Sequence, residues 1–131
     1  MPNIKRLLKA KNLLLFAILY SCLISVLFFV PSPQLPEIEV SGTDKIVHGL
    51  IYFVLINLWM FYFYTKNGFS LKLKCILVLI ILLLLYGIIV EILQHLLTVS
   101  RQADIYDIAA NLIGSLLGIF FFQNIKKYLN T

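Results

Sequence analysis

Ten polar residues fall where an otherwise oily chain has no evident need of them. Asp44, Lys45 and His48 stand together, with Asp44 and His48 at i, i+4 on one helical face. Glu91 and Gln94 follow at i, i+3, with His95 beside them. Arg101 precedes Asp104, Asp107 and Asn111, and these last three, at i, i+3 and i+7, form one stripe. Carboxylates grouped with imidazoles and bases can move protons, pair with a cationic group, or hold a divalent metal. No His-Glu-x-x-His or comparable ligand motif is present, so neither a metal nor a cofactor is assigned and no residue is named catalytic. Glu91 is the strongest single candidate because it interrupts a continuous apolar run.

The elements that must position these residues follow from composition. The chain has 131 residues, 61% hydrophobic and 13% charged, with a mean hydropathy of +0.96. Soluble domains are about 45–50% apolar and about 25% charged. A small soluble fold buries only roughly 60–70% of its unfolded surface, too little to hide this much oil. A soluble enzyme, a disordered tail and a disulfide-stapled secreted domain are thereby excluded. What remains is a single all-α membrane domain covering 1–131. A spanning helix needs about 20 largely apolar residues, and four stretches meet or approach this, at 13–30, 46–65, 75–97 and 105–122.

The first stretch has the basic and apolar regions of a signal peptide but is too long and lacks a small-residue cleavage pattern, so it is read as retained. Pro31, Pro33 and Pro36 keep the first loop extended, and Thr43 or Asp44 can cap the helix that follows. Cys22 and Cys75 are unpatterned and read as small packing residues.

Charge sets the expected orientation. The N-terminus, the second loop and the C-terminus share one side of a four-span bundle and carry nine basic residues and no acidic ones. The other side has Lys45 and Arg101 with all six acids. Positive charge favours the cytoplasm, so both termini are expected there, in a bacterial cytoplasmic membrane. The basic residues cluster at the ends of apolar runs, not on one face among stacking aromatics, so nucleic acid is not an expected partner. The lipid bilayer is.

This topology brings the ten polar residues to the outer ends of three helices, within about 10 Å of the boundary. A charge at mid-membrane costs of the order of 2.5–3.5 kcal/mol and less near the surface, so such groups face inward and pair. Lys45 and Arg101 have four acids to serve, Asp44, Glu91, Asp104 and Asp107, which leaves two negative charges over. That surplus can hold protons, a cation, or a cationic group of a ligand. The bland alternative is a buried ion cluster that only fixes helix register. Convergence from three separate segments is more than register requires, and intramembrane ionisable residues are site candidates by default.

Below this layer Ala110, Gly114 and Gly118 form a small-x-x-x-small pattern, read as close packing against the second or third helix, with Gly87 serving likewise. The pattern leaves the oligomeric state open. Trp59, Phe61, Tyr62, Phe63 and Tyr64 read as an interfacial belt at the inner end of the second helix.

In order along the chain, Asp44-Lys45-x-x-His48-x-x-x-Tyr52-Phe53, Tyr86-Gly87-x-x-x-Glu91-x-x-Gln94 and Arg101-x-x-Asp104-x-x-Asp107-x-x-x-Asn111-x-x-Gly114-x-x-x-Gly118 resemble the three signature blocks of the VanZ-like family of bacterial membrane proteins. The resemblance covers about 44–118 and leaves the first helix out. The family often has a Pro-Gly turn before the arginine, where this chain has Thr98-Val99-Ser100. The resemblance implies a multi-pass protein of the bacterial cell envelope, from a family named for a member linked to teicoplanin resistance.

Two functions compete at this point. One is an envelope protein whose outer polar pocket binds a lipid headgroup, a cell-wall precursor or a glycopeptide antibiotic and so affects susceptibility. The other is an intramembrane enzyme acting on a lipid-linked substrate, with Glu91 or His48 as acid-base and Lys45 or Arg101 steadying an anionic group. Transport ranks behind both, because no acid lies deep in the cytoplasmic half.

Overall fold

The computed structural model describes residues 9–29, 43–97 and 104–129, the side chains of Thr43 and Asp44 excepted. Among these residues 92% are helical and none lies in a strand. The helices are α1 (Ala10–Phe29), α2 (Thr43–Lys66), α3 (Leu73–Leu97) and α4 (Ile105–Leu129). All four are long and apolar enough to cross a membrane. The protein is an all-α, multi-pass membrane bundle.

Three helices start before the expected spans, and α4 runs to Leu129, seven residues beyond 122. Hydropathy ends at Phe122, but helical hydrogen bonding does not need apolar side chains. Asn124 Nδ2 donates back to the Phe120 carbonyl at 2.9 Å, and Lys126 and Lys127 sit in the last turn, where the helix dipole favours cations. The first loop with Pro31, Pro33 and Pro36 lies outside the described residues, as do the side chains of Thr43 and Asp44 expected to cap α2.

The turn after α2 has a defined stop. Gly68 and Phe69 adopt left-handed φ values of 69° and 63°. The Phe69 amide donates to the Tyr64 carbonyl at 2.8 Å and the Gly68 amide to the Thr65 carbonyl at 3.3 Å. This is the Schellman arrangement, and the Phe69 ring closes it by packing on Tyr64 at 5.6 Å.

The bundle is organised around the α2–α4 pair, its most extensive interface, with α1 and α3 laid against it. Small residues make that pair possible. A Cβ placed on Gly114 would collide with the Gly49 carbonyl oxygen and come within 2.8 Å of the Gly49 Cα. One on Gly118 would meet Ile56 Cγ2 and come within 2.8 Å of Asn57 Nδ2. The small-residue stripe thus packs inside the chain, against α2, as close helix approach in lipid requires.

Farther along, aromatic wedges replace glycines. Phe122 is fully buried and meets Phe61 at 4.9 Å and Tyr64 at 5.5 Å. The aromatic cluster on α2 is therefore only partly an interfacial belt, since its Tyr64 is core. On α1, Leu13, Ala17, Ile24 and Phe28 form the inward stripe, while Leu15, Leu19, Leu23 and Val26 stay exposed. In a membrane such apolar outer faces meet lipid tails at no cost.

Candidate functional site

The cluster assembles from helix ends. His48 lies five residues into α2, Glu91 six residues before the end of α3, and Asp107 and Asn111 two and six residues into α4. At 1.5 Å per residue all four lie within about 9 Å of their helix termini, at one end of the bundle. Each is buried, with exposures of 4% for His48, 3% for Glu91, 8% for Asp107 and 3% for Asn111.

Lys45 ties α2 to α4 above this layer. Its Nζ donates to Asp104 Oδ2 at 2.6 Å and to Asp107 Oδ1 at 2.5 Å. About a third of the Lys45 and Asp104 side chains is exposed against 11% for Asp107, so the ion pair forms a rim with Asp107 below it. Asp104 also caps α4: its Oδ1 accepts the Tyr106 amide at 2.9 Å, the bond that satisfies an orphan N–H of the first turn. The Lys45 ammonium first, and then the Tyr106 amide, hold the Asp104 carboxyl below its ordinary value of 3.8.

Beneath the rim, Asp107 Oδ2 faces His48 Nε2 across 3.8 Å, and His48 Nδ1 bonds Asn111 Oδ1 at 3.2 Å. Glu91 Oε2 accepts the Asp104 backbone amide at 3.3 Å, which links α3 to the start of α4. One nitrogen or oxygen each of His48, Glu91 and Asp107 lies within 4.8 Å of the others, so these three residues could hold a metal ion.

The structure therefore brings Lys45, His48, Glu91, Asp104, Asp107 and Asn111 together. Gln94 is buried at the edge of the group and donates its Nε2 to the Phe28 carbonyl at 2.7 Å. Arg101 and the Asp44 side chain lie outside the described residues. His95 is exposed and takes no part in the His48, Glu91 and Asp107 group. Gly87 serves the site as well as the packing, because a Cβ there would come within 3.0 Å of both Tyr52 Oη and Asn111 Nδ2.

Two contributors escape a reading of the sequence. The first helix, generic by composition, lays the Phe28 ring on the His48 imidazole at 5.3 Å and 25° between planes. It also joins α3 through Ser25 Oγ and Tyr86 Oη at 2.6 Å, and α2 through the Tyr20 hydroxyl, which donates to the Ile51 carbonyl at 3.0 Å. The signal was available: Ser21, Ser25 and Phe28 share a face at i, i+4 and i+7. The second is Tyr52, which stands in the first signature block but not among the polar site candidates; it is 1% exposed, and its hydroxyl reaches Gly87 and has no hydrogen-bond partner.

Two grooves among the described residues lie away from the cluster. An apolar groove of about 280 Å³ runs between α1, α2 and α3 beside Ser21, Trp59 and Tyr86. A wider one of about 680 Å³ opens at the other end of the bundle beside Asn67, Lys72 and Lys74. Among the described residues the members of the polar cluster are buried, and the Lys45–Asp104 pair above them is partly exposed. No family model matches the chain, and no curated protein or solved structure matches it either.

Proposed function

We infer that this chain is a VanZ-like protein of the bacterial cytoplasmic membrane, with both termini in the cytoplasm. Its polar cluster, at the extracytoplasmic end, recognises the polar head of an amphiphile: a lipid headgroup, a cell-wall precursor or a glycopeptide antibiotic. Through that binding it affects antibiotic susceptibility. The observation that carries the reading is a buried His48–Glu91–Asp107 group, drawn from three helices, beneath a partly exposed Lys45–Asp104 pair. Each of the three family-like blocks contributes to this one cluster, as a shared binding element would require. The rim supplies an ammonium and a carboxylate level with headgroups, and the groups beneath supply the field that orients what binds there.

The test is expression in a glycopeptide-susceptible bacterium with Glu91→Gln, Arg101→Gln and Asp107→Asn variants alongside. With insertion verified by membrane fractionation, the unsubstituted chain shifts teicoplanin susceptibility and the variants lose the shift. An unchanged response in all three inserted variants rejects the reading.

A further inference from the structure

His48, Glu91 and Asp107 approach one another from α2, α3 and α4, with one donor atom each inside a 4.8 Å circle. An imidazole nitrogen and two carboxylate oxygens suit Zn²⁺ and Mn²⁺. Atoms about 2.1 Å from a shared tetrahedral ion stand about 3.4 Å apart, so closure needs a contraction of at most about 1.5 Å.

Two further observations point to a ligand here. First, the imidazole is oriented for it. Asn111 Oδ1 lies 3.2 Å from His48 Nδ1, so that a proton on Nδ1 bonds Asn111 and leaves Nε2 toward Asp107 Oδ2, 3.8 Å away. A cation between an imidazole nitrogen and a carboxylate oxygen attracts both. Histidine ligands commonly have such an outer acceptor, which fixes the tautomer. Second, the Tyr52 hydroxyl is 1% exposed and without a hydrogen-bond partner. It lies against Gly87, one turn from Glu91. An ion with three protein ligands keeps a position for water, and a bound water is the kind of group such a hydroxyl can bond.

Charge agrees. The outer layer carries four acids and two bases in the sequence, a surplus of two negative charges that one divalent ion neutralises. We propose that His48 Nε2 and one oxygen each of Glu91 and Asp107 form a binding site for a divalent cation of the Zn²⁺ and Mn²⁺ type, with Asn111 as the positioning residue. No contiguous motif announces it because each ligand comes from a different helix. The site stands whether or not the headgroup reading does.

The test uses the full chain, purified in detergent and stripped with a chelator, titrated with Co²⁺ by visible absorption and with Zn²⁺ by calorimetry. One ion binds per chain, and Zn²⁺ raises the melting temperature. His48→Gln, Glu91→Gln and Asp107→Asn each weaken binding at least tenfold. Asn111→Ala weakens it by about tenfold to a hundredfold while still giving the Co²⁺ spectrum at higher concentration. His95→Gln, altering an exposed imidazole outside the triad, changes nothing. If the triad variants do not fold, Asn111→Ala and the effect of Zn²⁺ on wild-type melting decide. Absence of binding by the wild-type chain overturns the proposal, as does binding undiminished in the folded triad variants or lost in His95→Gln.

Discussion

Gly114 on α4 sits so close to Gly49 on α2 that no β-carbon fits between them, and the blocking atoms are backbone. A flexible side chain can move aside for an added group, but a helix backbone moves only with its helix. This approach also sets the spacing at which Lys45 reaches Asp104 and Asp107, and His48 reaches Asn111, across the same pair of helices. Gly114→Leu therefore forces α2 and α4 apart. Overpacking typically costs about 1–3 kcal/mol, and a backbone-to-backbone site belongs at the upper end. Thermal melting in detergent should show this loss, whereas Leu116→Ala, on the exposed face of α4, should leave melting nearly unchanged.

The Lys45 bridge should show coupling. Lys45→Met leaves the Asp107 carboxylate under the rim without its ammonium, and Asp107→Asn leaves Lys45 with Asp104 alone. Exposed pairs contribute about 0–1 kcal/mol and hydrogen bonds to charged groups about 1.5–3 kcal/mol. With one partner exposed by a third and the other by a tenth, a double-mutant cycle should give a coupling of about 1–2 kcal/mol. A coupling indistinguishable from zero would show that solvent screens the bridge.

Acid should weaken the rim. The Asp104 carboxyl is held below 3.8 by Lys45 and by the Tyr106 amide it caps. A depressed folded-state pKa adds stability that is complete above the unfolded value and disappears as the pH falls through the folded one. Asp104 thus contributes from about pH 4 upward and stops contributing as acidification proceeds below that. Melting followed down this acid limb should be flatter in Asp104→Asn than in the parent chain. Parallel acid limbs would mean that Asp104 carries none of the effect.

Much of this arrangement was legible in the residues, for physical reasons. Four long apolar runs admit few alternatives once water is excluded as the solvent, so the helix count and the all-α class follow from length and hydropathy. Helical spacing placed Asp104, Asp107 and Asn111 on one face, and that face meets α2. The small-residue stripe declared a close helix contact, found between Gly114 and Gly49. Other parts left no periodic trace. The continuation of α4 past Phe122 rests on backbone bonds, to which hydropathy is blind. Phe28 looks like any lipid-facing ring until it stacks on His48. His95 adjoins Gln94 in sequence yet lies outside the cluster, because neighbouring residues on a helix point about 100° apart.

Tyr52 offers a test of a different kind. Its buried hydroxyl has no hydrogen-bond partner, and an unsatisfied buried polar group costs about 1–3 kcal/mol. Tyr52→Phe removes the oxygen and keeps the ring, which lies 6.3 Å from the Tyr86 ring. In chelator-treated protein the variant should be more stable than the parent, by about 1 kcal/mol. A loss of stability would mean that the hydroxyl is bonded in the folded state.

The proposed inward placement of both termini is open to a direct measurement. Nine basic residues lie on the side shared by the termini and the second loop, against Lys45 and Arg101 on the other. Positive segments near span ends resist translocation, so the proposal expects the polar cluster outside and Lys126 and Lys127 inside. Alkaline phosphatase, active only after export, should stay inactive when fused after Thr131, while green fluorescent protein fused there should fluoresce. Fused after Glu39, behind α1 alone, the phosphatase should become active. Replacing Lys5, Arg6, Lys9 and Lys11 by Gln should erode the difference, because it removes four of the nine charges that set it. An active phosphatase at Thr131 in the unaltered chain would place the His48–Glu91–Asp107 cluster at the cytoplasmic surface, and the extracytoplasmic headgroup reading would fail with it.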